Sequence, residues 1–198
     1  MKTLLKKLCL AAVCLLAANT ATAYDFEYEG CYFNILSETD KTCEITYEIN
    51  YYAGTQTYNG DFVIPELVKD DEGITYKVVG IDRRAFYMCE ITSVTIPESV
   101  TTIGDYAFSY CKSLTSVTIP KSVTEIPYGA FCNCKSLMRV TIPESVTTIG
   151  NTAFSYCTSL NSVTIPESVT TIGNDVFSFC TSLNSVTIPE SVTTIGDY

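Results

Sequence analysis

Five cysteines of this chain, Cys89, Cys111, Cys134, Cys157 and Cys180, recur at near-constant spacing, the kind of pattern that can hold a metal, form disulfides or fill a core. Zinc would need four convergent thiolate or imidazole ligands. The chain contains no histidine, and the one C-x-C pair, Cys132 and Cys134, supplies only two thiols, so no metal is expected. Cys31 and Cys43 stand outside the regular spacing, at a separation that a hairpin could close into a disulfide. Ser109-Tyr110-Cys111-Lys112 has the S-x-x-K form of serine acyl-transfer enzymes. Without histidine the usual general base is missing, and catalysis needs unlike residues that converge at one place.

The elements that carry these residues do the opposite of converging. Thr-Ile-Pro recurs with its proline at positions 97, 120, 143, 166 and 189, each 23 residues after the last. Self-similarity at such a period marks a solenoid, in which each unit is one coil that buries its apolar face only by stacking on its neighbours. The S-x-x-K serine is then a turn residue with equivalents at Ser155 and Ser178, where threonine replaces lysine. Cys132 occupies that same turn position, on its outer side. The regular cysteines become a column of small buried side chains, expected as free thiols. Adjacent coils lie about 4.8 Å apart, so bridging within the column is geometrically open.

Within a unit, the inward set is Leu114, Val117, Ile119, Val123, Ile126, Ala130, Phe131 and Cys134. Ser116-Val117-Thr118-Ile119 alternates as a half-buried strand does, and Pro120 ends it. A second β-prone run, Val123 to Ile126, leads to a glycine in most copies. Asp105, Asn151 and Asn174 follow that glycine and are expected to cap one short helical turn through Ala-Phe-x-x-Cys. The expected fold is a β-rich solenoid with one helical turn per 23-residue repeat.

Val63-Ile64-Pro65 and Ile81-Asp82-Arg83-Arg84-Ala85-Phe86 match the two halves of a unit with about ten extra residues between them, so residues 61–92 read as a degenerate first unit and regular units run from 93. Residues 24–60 lack the period and alternate aromatic with β-branched residues, as a β-hairpin cap over the open solenoid end would. The last unit stops partway, at Gly196-Asp197-Tyr198, which predicts an uncapped core there, open to end-to-end contact or belonging to a longer array. At the other end, Lys2, Lys6 and Lys7 precede an apolar run from Leu8 to Ala18, and Ala21-Thr22-Ala23 offers a cleavage site; residues 1–23 read as a secretory signal peptide. That run is well short of the roughly 20 residues that span a bilayer, so no membrane insertion is expected. The net charge of −10 argues against nucleic acid and anionic membranes.

Three outward columns remain as candidate surfaces. Ser93, Ser116, Arg139, Ser162 and Ser185, beside Thr95, Thr118, Thr141, Thr164 and Thr187, would line one sheet face. Such a face suits repetitive contact with an extended partner, although threonine also simply favours exposed strand positions. Met88, Tyr110, Asn133, Tyr156 and Phe179 follow the helical turn. Glu98, Lys121, Glu144, Glu167 and Glu190 follow the proline, where calcium could sit between neighbouring glutamates or the face could be merely solvated.

The unit typified by Cys157-Thr158-Ser159-Leu160-Asn161-Ser162-Val163-Thr164-Ile165-Pro166 resembles BspA-like leucine-rich repeats, from about Asp61 to Tyr198. Phe26 to Thr46, with Asn34-Ile35-Leu36-Ser37 in it, is similar to the leader region placed before such arrays. The resemblance implies a secreted or cell-surface protein without a cofactor, the adhesive members of the family binding matrix proteins or other cells. The expected function is therefore a non-catalytic binding or adhesion module for an extracellular protein or glycan surface. A structural spacer, with activity elsewhere in a longer surface protein, is the alternative.

Overall fold

The computed structural model describes residues 24–47 and 58–197. The signal peptide read over residues 1–23 lies outside them, as do residues 48–57 and Tyr198. Strands dominate. β1 (Phe26–Tyr28), β2 (Cys31–Ser37) and β3 (Thr42–Thr46) form an antiparallel meander, the expected cap. β4 (Asn59–Val63) already belongs to the array, because it pairs in parallel with β7 (Glu90–Thr95). The extra residues of the first unit form a hairpin of β5 (Leu67–Lys69) and β6 (Thr75–Ile81). Asp70 Oδ1 accepts the Ile74 and Glu72 amides at 2.8 and 3.0 Å in its turn, and Gly73 takes the left-handed φ of 78° there. β6 then joins cap to array, pairing in parallel with β3 on one side and with β8 (Thr102–Ile103) on the other.

Two parallel sheets run the length of the array. One has the order β13 (Ser162–Val163), β11 (Arg139–Thr141), β9 (Ser116–Thr118), β7, β4. The other stacks β10 (Glu125–Ile126), β12 (Thr148–Ile149), β14 (Thr171–Ile172) and β15 (Thr194–Ile195). Register repeats the sequence period: Ser93 faces Ser116, which faces Arg139, which faces Ser162. Val117, Ile119, Val123, Ile126, Ala130, Phe131, Cys134 and Leu137 are buried, so one continuous core fills the coil. Through its centre Phe86, Phe108, Phe131, Phe154 and Phe177 stack ring on ring at 4.9, 5.3, 5.4 and 5.8 Å.

The helical turn expected in each unit is not present. Between Gly104 and Cys111, every second amide closes a tight turn, Ala107 to Gly104, Ser109 to Tyr106 and Cys111 to Phe108. The alternate amides leave the coil: Tyr106, Phe108 and Tyr110 donate to the carbonyls of Tyr128, Ala130 and Cys132 in the next coil at 2.8–2.9 Å. A helix keeps its amides to itself, whereas here the neighbouring coil takes half of them. The alternation needs left-handed residues, and these are Tyr106 and Tyr110 (φ 57° and 63°), then Gly129 and Asn133, Thr152 and Tyr156, Asp175 and Phe179. With no helix to cap, the asparagines serve the stack. Asn151 Oδ1 accepts the Asn174 amide at 2.8 Å and Asn174 Oδ1 the Asp197 amide at 3.0 Å.

All eight cysteines among the described residues are free thiols. The disulfide considered for Cys31 and Cys43 is not formed, because the meander register sets Cys43 opposite Ile35 and Cys31 opposite Tyr28. The regular column is buried, and its thiols stitch coil to coil. Cys111, Cys134, Cys157 and Cys180 donate to the carbonyls of Phe86, Phe108, Phe131 and Phe154 at 2.9–3.2 Å. Each of those carbonyls also accepts the backbone amide of the cysteine in its own coil. A small side chain with a weak donor suits that place, where alanine would leave the second lone pair unused.

Candidate functional site

The outward face of the sheet β4–β7–β9–β11–β13 is where the hydroxyl columns come together. Alternation along each strand buries Val94, Val117 and Val140 and turns their neighbours to solvent. Ser93, Ser116, Arg139 and Ser162 form one row, with Thr95, Thr118 and Thr141 forming the next. Thr164 lies just past the end of β13, exposed beside them. Ser185 and Thr187, expected to continue the rows, lie in a segment without strand structure.

At the opposite edge the rows extend further than the Thr-Ile-Pro count alone suggests. Asp61 and Val63 of β4 face Ser93 and Thr95. Asp61 Oδ1 accepts hydrogen bonds from both Thr92 Oγ1 and Ser93 Oγ at 2.7 Å, and these two donors hold its carboxyl below the usual carboxylate range. The match of Val63-Ile64-Pro65 to Thr-Ile-Pro was the signal that could have placed both residues. Towards the other end a shallow depression of about 410 Å³ is lined by Arg139, Thr141, Ser162 and Thr164 over the backbone of Val140, Ile142 and Val163. The face thus offers hydroxyl donors and acceptors in two rows, a fixed anion at one edge and one guanidinium towards the other.

The remaining columns resolve differently. Met88, Tyr110, Asn133, Tyr156 and Phe179 all occupy the second left-handed position of the turn, with φ between 59° and 63°. Tyr110 and Asn133 are half-buried while Phe179 is exposed and stacks on Tyr156 at 4.4 Å. The glutamate column is exposed, and Glu98 accepts the Lys121 backbone amide at 3.2 Å. Among the described residues no cluster of three cysteines, aspartates or glutamates is placed to hold a metal. Ser109 of the S-x-x-K match is buried rather than on the outer side of the turn, because it faces the next coil, where its hydroxyl donates to the Cys132 carbonyl at 3.0 Å. A column that spacing did not flag does similar work: Ser99, Ser122, Ser145, Ser168 and Ser191 each donate to a valine carbonyl of the preceding coil.

Residues 79–198 match, in six copies, the family model described as BspA type leucine rich repeat region. No curated protein matches the chain. Among solved structures, a leucine-rich repeat protein from Bacteroides ovatus is 32% identical, with a TM-score of 0.78 over 88% of this chain and 44% of its own. A leucine rich cell surface protein from Faecalibacterium prausnitzii is 34% identical, with a TM-score of 0.62 over 91% of this chain and 52% of its own. A leucine rich repeat protein from T. pallidum is 25% identical, with a TM-score of 0.67 over 87% of this chain and 86% of its own. The chain therefore spans about half the length of the first two.

Proposed function

Because the chain belongs to the BspA-type leucine-rich repeat family, we propose that it is a secreted or cell-surface, non-catalytic binding module that engages an extracellular protein or glycan surface through the outward face of its five-stranded parallel sheet. The observation that carries this reading is the in-register face itself, on which serine and threonine repeat strand after strand between Asp61 and Arg139. Identical groups at the strand spacing of about 4.8 Å favour a partner that makes the same contact several times, gaining strength by multivalency. The description of the Faecalibacterium relative as a cell surface protein and the leader pattern in residues 1–23 support the location.

The test is a solid-phase screen of the chain from Tyr24 onward against extracellular matrix proteins and glycans, run beside the double variant Thr118→Glu, Thr141→Glu. Both positions are exposed but face each other on β9 and β11, so the paired carboxylates cost some stability and the loss is read only where the fold is intact. The wild-type chain is expected to bind a member of the panel, and the double variant to lose most of that binding with its circular dichroism unchanged. Equal binding by the variant contradicts the assignment to this face, and absence of binding contradicts the proposal and favours a structural spacer.

A further inference from the structure

Where the array meets its cap, the sequence departs from its own repeat. The position held by Gly104-Asp105-Tyr106, Pro127-Tyr128-Gly129, Gly150-Asn151-Thr152 and Gly173-Asn174-Asp175 in successive coils is Asp82-Arg83-Arg84 in the first. No other copy places a basic residue there. Glycine is required at 104 because a Cβ would approach the Arg83 amide nitrogen to 2.5 Å. At 82 the preceding neighbour is the cap strand β3 rather than another coil, and a side chain fits. Asp82 fills it and is consumed by neutral donors: Thr46 Oγ1 at 2.8 Å and Asn34 Nδ2 at 3.4 Å to Oδ2, and the Arg83 amide at 2.6 Å to Oδ1.

Arg83 and Arg84 make no ion pair among the described residues, in a chain that carries ten more acids than bases. Glu44, the other carboxyl beside Asp82, is pushed up to about 7 by burial and by the Asp82 charge, so it is only partly charged at neutral pH. The backbone beneath the pair is fixed from both sides, by Asp82 N to Ile45 O at 2.9 Å and by Arg84 N to Asp105 O at 3.1 Å. The Arg84 guanidinium lies 5.6 and 5.5 Å from the Tyr87 and Tyr106 rings, which hold it in place by cation–π attraction, and its buried Nε has no acceptor. Beside it opens a polar pocket of about 340 Å³ lined by Thr46, Tyr47, Asp82, Arg83 and Arg84.

We infer that this pocket is an anion site for a carboxylated sugar, the guanidinium groups of Arg83 and Arg84 taking the carboxylate and Tyr47, which lines the same pocket, the sugar ring. Guanidinium matches a planar carboxylate with two parallel hydrogen bonds. An aromatic wall beside it suits a flat ring with an apolar face better than the extended backbone of an acidic peptide, which seeks a sheet edge or groove. The site goes beyond the sheet-face reading and shares no residue with it, so either can fail alone.

The experiment is isothermal titration calorimetry of the chain from Tyr24 onward with oligogalacturonate and with sialyllactose, the two sources of a sugar carboxylate, each beside its methyl ester, and with a glutamate-rich peptide. At least one free acid is expected to bind and its ester not to. Binding should weaken about tenfold or more in Arg84→Gln, where charged hydrogen bonds are lost, and less in Arg84→Lys, while Thr124→Ala, at an exposed position outside both surfaces, leaves it unchanged. Circular dichroism verifies the fold of each variant, and Arg83→Gln provides a second reading should Arg84→Gln unfold. Failure of both acids to bind, equal binding by ester or by both glutamine variants, or preference for the peptide overturns the inference.

Discussion

At the scale of single residues, the array places side chains in conformations their types avoid. Thr152 is β-branched yet has φ 54°, in the region where the Cβ of an L-residue crowds its own carbonyl. Its amide still donates to Asn174 O and its carbonyl accepts from Ser155, so the stack outweighs the local cost. Thr152→Gly keeps both bonds and is expected to raise stability by about 0.5–1 kcal/mol, read as a higher urea midpoint at unchanged slope. These left-handed sites were barely legible in the sequence: tyrosine, methionine and phenylalanine occupy half of the turn positions, whereas Gly129, Asn133 and Asp175 carry residues that announce the conformation. Glu44 provides a pH dependence. Its carboxyl is raised from its ordinary value to about 7, first by burial and then by Asp82. A group with a raised folded pKa favours the folded state while protonated, so its penalty is absent below about pH 4.5 and grows as pH rises to 7. The wild-type melting temperature should fall between pH 5 and pH 8, by an amount worth about 1 kcal/mol after solvent screening. Glu44→Gln should flatten that slope, and an unchanged slope contradicts the assignment.

At the scale of the element, the coil was legible where its signal is apolar periodicity. The strand at Ser116–Thr118, the second at Glu125–Ile126 and the inward set from Leu114 to Cys134 all stand where alternation puts them. The turn was misread for a physical reason. Ala-Phe-x-x-Cys has the spacing of a helical face, but what decides between helix and tight turns is where the amides go, and half go to a neighbour that spacing does not display. The serine two residues after each proline carried no signal in the spacing, yet Ser145 Oγ bonds Val123 O at 2.7 Å. Arg83 and Arg84 were visible as a match to the coil, but what sets them apart, the lack of an ion pair among the described residues, requires coordinates.

At the scale of the whole molecule, stability is a property of stacking, so one substitution should cost different amounts along the array. Phe131 is fully buried between Phe108 and Phe154, whereas Phe177 is partly exposed beyond Phe154. Phe131→Ala is expected to cost about 3–5 kcal/mol and Phe177→Ala clearly less, compared by chemical denaturation. Equal costs would mean that the coils do not behave as neighbours sharing a core. Cap and array are expected to unfold together on the same logic, since β6 is laddered to β3 and to β8 at once.

That partners meet the outward sheet face is tested most directly by amide chemical-shift mapping of the isotope-labelled chain. A partner recovered from the solid-phase screen is titrated in, and the perturbed residues are placed on the fold. Shifts concentrated on Ser93, Thr95, Ser116, Thr118, Arg139, Thr141 and Ser162 are the predicted result. Shifts confined to the turn residues or to the β10–β12–β14–β15 side would contradict it.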